Sequence, residues 1–267
     1  MSRRVPARAL VRSEWTKLRS LRAGWLCVLL YAVAAVTGAW LSLSGTTAPA
    51  DPATAVATAL VGFGPAQLVL PALGALVVTT EYRTGTVVAA LTAVPRRTRW
   101  LLAKTLVVGV VVALVTAAVA AGCVAAVPGL TAGGGGVSLT DPRVLRPLGV
   151  QTAAAVLVTV LGAGLGALLR RTVPALVAGG LLVAVLPLAT ALTVRPALAA
   201  VAPLWPTLRV GEEDLLTVAV RGSFGVPAGG DLMLAGATGW PAGLVLAGSW
   251  ALAVWVLGAV VLERRDV

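Results

Sequence analysis

Six stretches of 22 to 24 residues contain no Asp, Glu, Lys or Arg, and nothing else in the chain constrains its fold as tightly. A hydrocarbon core about 30 Å thick is crossed by roughly 20 apolar residues, each rising about 1.5 Å along a helix. The pattern predicts spans from Ala23 to Ser44, Val56 to Thr79, Thr105 to Val127, Pro147 to Leu169, Val173 to Val194 and Trp240 to Leu262. In lipid each backbone polar group must find its partner within the protein, so such spans are expected as helices. The expected fold is therefore an all-α membrane protein with six transmembrane helices in one domain, residues 23–267. Residues 1–22 precede it as a cytoplasmic amphipathic segment.

Ala48-Pro49-Ala50 resembles a signal-peptide cleavage site. The apolar run before it exceeds the roughly 7–15 residues of a signal core, and five more spans follow, so an uncleaved first helix is expected. Basic residues set the orientation. With a cytoplasmic N-terminus, 16 of the 21 Lys and Arg residues fall inside. Seven precede the first span and five lie between spans two and three, with Arg170, Arg171, Arg264 and Arg265 completing the set. Both ends are then cytoplasmic. The outer connections are a short segment 45–55, a loop around Gly133-Gly134-Gly135-Gly136, and a long segment, 195–239.

Only 12% of the residues are charged, about half the share of a soluble domain. The net charge of +11 does not indicate nucleic acid, because the basic residues flank apolar runs instead of lining one polar face. The Arg-rich, Lys-poor usage hints at a bacterial, GC-rich origin, which places the chain in a cytoplasmic membrane as a multi-pass protein.

Enzymatic chemistry finds little support. There is no histidine, the usual general base and metal ligand. Cys27 and Cys123 fall inside apolar runs and read as packing residues, with no metal expected. The four-glycine run is not followed by Gly-Lys-Ser/Thr, so it is no phosphate-binding loop, and no cofactor is expected on this chain. Ion-coupled transport normally uses a buried Asp, Glu or His. All ten acidic residues are read as lying in loops or at span ends, and Gln67 as the only larger polar amide well inside a span. Energy for transport is expected to come from elsewhere.

Two cytoplasmic features show where it would enter. Between Arg8 and Arg22, Val11, Trp15, Leu18 and Leu21 recur at helical spacing, with Arg8, Arg12, Thr16 and Arg19 opposite. This reads as an amphipathic helix at the inner headgroup layer, its basic residues attracted to membrane lipid. Between spans two and three, in the loop 80–104, Thr84 is expected to cap a short helix stopped by Pro95. That helix would offer Val87, Val88, Leu91 and Val94 to a partner groove.

The motif Glu14-Trp15-Thr16-Lys17-Leu18-Arg19-Ser20-Leu21-Arg22 resembles the start of actinobacterial ABC-2-type permeases. Glu81-Tyr82-Arg83-Thr84-Gly85-Thr86, followed by Leu91-Thr92-Ala93-Val94-Pro95-Arg96-Arg97, is similar to that family's first cytoplasmic loop. The resemblance implies the membrane subunit of an exporter that pairs with a second permease copy, identical or related. It also implies docking to separate nucleotide-binding ATPase subunits, which bind Mg-ATP. Glu81, Tyr82, Arg83, Gly85 and Thr86 would then sit at the coupling helix. Glu14, Trp15 and Lys17, with Leu18 on the same helix, would form the interface helix. Glu81 would either pair with a basic residue of the ATPase or brace the loop internally.

Gly162-x-x-x-Gly166, with Ala163 and Ala167 beside it, and Gly179-Gly180 are small-residue patches suited to helix packing, within the chain or at a dimer face. Pro65, Pro71 and Pro187 are expected to kink spans two and five, which would line a path with Gln67 as polar contact or as a helix-to-helix hydrogen bond. An apolar interior suits an amphipathic or lipid-like cargo. The rival readings are a non-transporting scaffold or sensor partner and a secondary transporter or channel.

Overall fold

A computed structural model describes residues 6–44, 56, 58–87, 97–130, 142–185 and 240–264, and all regular structure in them is helical. In chain order the helices are α1 (Ala7–Ser20), α2 (Arg22–Ser44), α3 (Phe63–Ala66), α4 (Val69–Thr84), α5 (Arg97–Leu130), α6 (Pro142–Leu169), α7 (Thr172–Gly180) and α8 (Trp240–Arg264). A π-helical turn, Leu181–Val185, continues α7.

Five of the described segments are long and apolar enough to cross a membrane: Arg22–Ser44, Thr58–Thr84, Arg97–Val127, Val144–Leu169 and Ala247–Arg264. Of the expected span from Val173 to Val194, the apolar helix Thr172–Val183 is described, and residues 186–194 lie outside the described residues. So do the connections 45–55, 131–141 and 195–239.

Three spans run further toward one end than the apolar pattern predicted. The second continues to Thr84 and the third begins at Arg97. Glu81 and Lys104, taken to mark loop, are helical because each neutralises the other. The fourth begins at Pro142, where a missing N–H costs nothing, and carries Pro147 inside its second turn. Where a kink is expected in span two, the α-helical hydrogen-bond ladder is interrupted. Pro71 has no N–H to offer the Gln67 carbonyl, which accepts from Leu70 N instead, at 3.1 Å. The backbone turns at Gln67 and Leu68 before α4 resumes.

Glycines set how closely the helices approach. A Cβ on Gly162 would collide with the Pro71 backbone, one on Gly74 with Thr159, and one on Gly164 would lie 2.8 Å from Trp255. Gly166 faces Ala75, and Ala163 and Ala167 are fully buried. The Gly162/Gly166 patch is therefore spent on packing α6 against α4 within the chain, which removes it as a dimer face. Gly179 likewise packs on Pro71, whereas Gly180 faces open space. The pairings 71 with 162 and 75 with 166 make α4 and α6 parallel. Gly248 near Leu157 and Gly258 against Gly164 do the same for α6 and α8. All three end at one pole of the bundle, where α5 begins.

α2 is the most peripheral span. Leu26, Leu29, Leu30, Val33, Trp40 and Leu41 all point outward, as lipid-facing side chains do.

Candidate functional site

At that pole, α1, α4 and α5 meet around four ionised side chains. The Lys104 ammonium lies 2.7 Å from Glu14 Oε2 and 2.7 Å from Glu81 Oε1. Lys17 reaches Glu14 Oε1 at 2.8 Å and Glu81 Oε1 at 3.0 Å. Glu14 and Lys104 are each 3% exposed and Glu81 is 7% exposed; Lys17 has a half-exposed side chain. Two acids balance two bases, so the buried group carries no net charge. Lys104 also lies over the Trp100 ring, 5.2 Å from its centroid. Burial by itself would lower the pKa of the Lys17 ammonium, but the hydrogen bonds it donates to Glu14 and Glu81, with the charges of those carboxylates, outweigh burial and hold Lys17 above the ordinary lysine value.

Within the chain Glu81 braces α4 against α5 and α1 through Lys104 and Lys17. Both acids lie at the ends of the spans, Glu81 in the last turn of α4 and Glu14 in α1 ahead of the first span. Glu14 and Glu81 are helical and buried, and the long spacing between them in sequence concealed their pairing. The inward face of α1 is Glu14 with Leu18, while Trp15, expected on the apolar face, is 41% exposed.

α4 ends where Gly85 adopts a left-handed conformation, φ 71°, one that a side chain disfavours. Thr84 is the last residue of α4, its hydroxyl bonding back to the Thr80 carbonyl at 3.0 Å; helical geometry resumes at Thr86 and Val87, and the rest of the short helix expected through Val94 lies outside the described residues. Val87 was expected to face a partner, yet it is 3% exposed and packs with Trp100 and Leu101. Leu91, Val88 and Val94 lie outside the described residues. Arg83, Thr84, Gly85 and Thr86 are exposed at the tip of α4; Tyr82 is partly buried against the Arg170 guanidinium, 5.5 Å from its ring centroid.

The same pole is tied to α8. Arg97 donates to the Leu262 carbonyl at 2.9 Å and Arg170 to the Val261 carbonyl at 3.5 Å. Two cations thus meet the negative end of the α8 dipole. Arg170 takes a left-handed conformation, φ 56°, in the tight reversal between α6 and α7.

Deeper in the bundle, Gln67 is 2% exposed and its Oε1 has no hydrogen-bond partner. Sequence reasoning missed Gln151, 1% exposed in α6, because it sits near the start of its span. The Tyr31 hydroxyl and Thr116 hydroxyl pair at 2.9 Å, joining α2 to α5. Among the described residues no group of three or more His, Cys, Asp or Glu is placed to hold a metal ion.

A family model described as "ABC-2 membrane transporter related" matches residues 42–195, more than half of the chain. No curated protein matches it.

Proposed function

The chain belongs to the ABC-2 membrane transporter related family, and on that premise we propose that it is the membrane-spanning subunit of an ATP-binding-cassette exporter. Permeases of this kind work with an ATPase partner, here a separate cytosolic subunit that binds Mg-ATP, while this chain has no catalytic role. The observation that carries the reading is the ion-paired pole. Lys104, Glu81, Glu14 and Lys17 weld α1 to the hairpin between α4 and α5. A push on the exposed tip at Arg83–Thr86 therefore moves α1, α4 and α5 together, a rigid-body response.

The pole gathers Lys17, Arg83, Arg97, Arg99, Lys104, Arg170 and Arg264, which favours its placement on the cytoplasmic side of a bacterial membrane. Parallel α6 and α8 need an odd number of crossings between them. The apolar helix Thr172–Val183 begins at the same pole, which supports six spans. Neutral pairing of the buried acids leaves no unpaired carboxylate in the cluster for a proton cycle, which favours energy from nucleotide over ion coupling. A second permease copy completes the pathway for an amphipathic or lipid-like cargo.

The test is co-purification with a span-free ATPase carrying a Walker A motif. The expected outcome is that Arg83→Glu with Thr86→Glu abolishes stimulation of that ATPase while the permease stays folded. Unchanged complex and stimulation would overturn the tip as the docking point. Transport that persists without nucleotide and collapses with the proton gradient would replace the exporter reading with a secondary transporter.

A further inference from the structure

Span two is divided between two neighbours. Its outer half packs on α2, the chief backbone neighbour of α3 among the described helices. A Cβ on Gly62 would collide with the Ala35 carbonyl and the Ala39 amide, and one on Gly38 with the Gly62 backbone. Tyr31 of α2 meets Phe63 edge-on, with ring centroids 6.1 Å apart. The inner half, α4, packs chiefly on α6, through Gly74 and Gly162. Between these halves the winding is irregular. Leu68 N donates to Pro65 O at 3.2 Å and Leu70 N to Gln67 O at 3.1 Å, each reaching only three residues back. A 3₁₀ stretch of this kind inside a helix often marks a hinge. Span five is irregular at the same level: Gly179 rests on Pro71, and π-helical winding begins two residues later at Leu181. α2 has a joint at its other end, where Leu21 is extended, φ −80° and ψ 92°, and separates it from α1.

We propose that α2 and the outer half of span two, residues 58–66, form one arm that swings on the rest of the bundle about two joints, Leu21 and the Gln67–Pro71 break. The glycine contacts keep the two helices of the arm together, while α1 stays ion-paired to α4 and α5. Where the inner half of α2 lies against the core, Val28 faces Leu73, Val108 and Val111 across an apolar seam. Apolar surfaces can shear past one another without breaking directional bonds. The directional tie is the hydrogen bond between the Tyr31 and Thr116 hydroxyls, 2.9 Å, which joins the arm to α5 and latches it closed. Closure also has a cost. Gln67 Oε1 and Gln151 Nε2 are buried without hydrogen-bond partners, and Gln151 lies beside the Tyr31 hydroxyl. Unpaired buried amide atoms are destabilising by as much as a hydrogen bond stabilises, or more. Parting Tyr31 from Thr116 gives these amides room to find partners, so latch and burial cost oppose each other at similar size and leave the arm two positions. The arm belongs to this chain alone and needs no ATPase.

The experiment uses the full chain in nanodiscs, without any ATPase, with Cys27 and Cys123 replaced by Ala and spin labels on introduced cysteines. Pulsed electron–electron double resonance reads the distance between Trp40→Cys on α2 and Val245→Cys on α8. Ala125→Cys on α5 with Val245→Cys, both outside the arm, is the control pair. All three positions are exposed, so the labels displace no packing. Each single-cysteine variant measured alone identifies distances between copies of the chain. Two populations are expected for the first pair and one narrow population for the control. Tyr31→Phe removes the latch but keeps the ring against Phe63, and should shift the ratio of the two populations about fivefold, the scale of one hydrogen bond. Pro71→Ala keeps the Cβ that meets Gly179 and restores an N–H for the Gln67 carbonyl, and should draw the distribution toward a single population. One narrow distance for the first pair in both the parent and Tyr31→Phe would overturn the proposal. So would equal broadening of the control pair, which would show a loose bundle with no separate arm, or a distribution that ignores Pro71→Ala.

Discussion

Lys104 and Lys17 hold the same two carboxylates from opposite sides of the solvent boundary, and that difference separates their worth. Lys104 is 3% exposed, so Lys104→Met leaves Glu14 and Glu81 facing each other with only Lys17 between. Breaking a buried pair in this way costs about 3–5 kcal/mol, expected as a large drop in the unfolding temperature of the purified chain. Lys17 has a side chain 43% exposed, and solvent screening reduces its part to about 1 kcal/mol or less; Lys17→Ala should shift the same transition only slightly. An equal shift for the two variants would contradict the burial difference. The pH dependence follows from the raised Lys17 value. A base held above its ordinary value of 10.5 contributes stability that is complete below that value and fades only as pH rises beyond it. Trp15, on the same helix, should therefore show unchanged fluorescence from pH 7 to 9 and respond only in stronger alkali. A transition near neutrality would show that another group controls α1.

At the scale of elements, close approach through glycine holds α4, α6 and α8 together. Gly74→Ala would drive a Cβ into the Thr159 backbone, and overpacking of this sort costs about 1–3 kcal/mol. Gly122→Ala meets nothing within 4 Å and should change stability by no more than about 0.5 kcal/mol. Thermal unfolding of the two variants side by side checks the contrast, and equal effects would count against the α4–α6 packing. The existence of these helices was legible in the sequence because long uncharged runs have few alternatives in lipid. Their ends were not. Charge was read as the edge of a span, whereas Glu81 and Lys104 are carried into helices by mutual neutralisation, a pairing between residues 23 positions apart. Glu14 joins them from α1, at a separation no local pattern reveals. The small residues of α6 were visible too, but a sequence cannot say whether such a patch meets its own chain or a second copy.

For the whole molecule, α4, α6 and α8 ending at one pole fixes which tips share a side of the membrane. Thr86 follows α4, Arg171 follows α6 and Glu263 lies in the last turn of α8, so all three belong to one face; Ser44, at the far end of α2, belongs to the other. In the orientation proposed from the basic residues collected at the shared pole, that face is the cytoplasmic one. With Cys27 and Cys123 replaced by Ala, single cysteines at 44, 86, 171 and 263 separate the possibilities. A membrane-impermeant thiol reagent added to intact cells should label Ser44→Cys alone, and permeabilisation should expose the other three together. Labelling of Thr86→Cys and Glu263→Cys from opposite sides would break the parallel arrangement of α4 and α8. Labelling of all three from outside would keep the arrangement but invert it, placing the ion-paired hairpin beyond reach of any cytosolic ATPase.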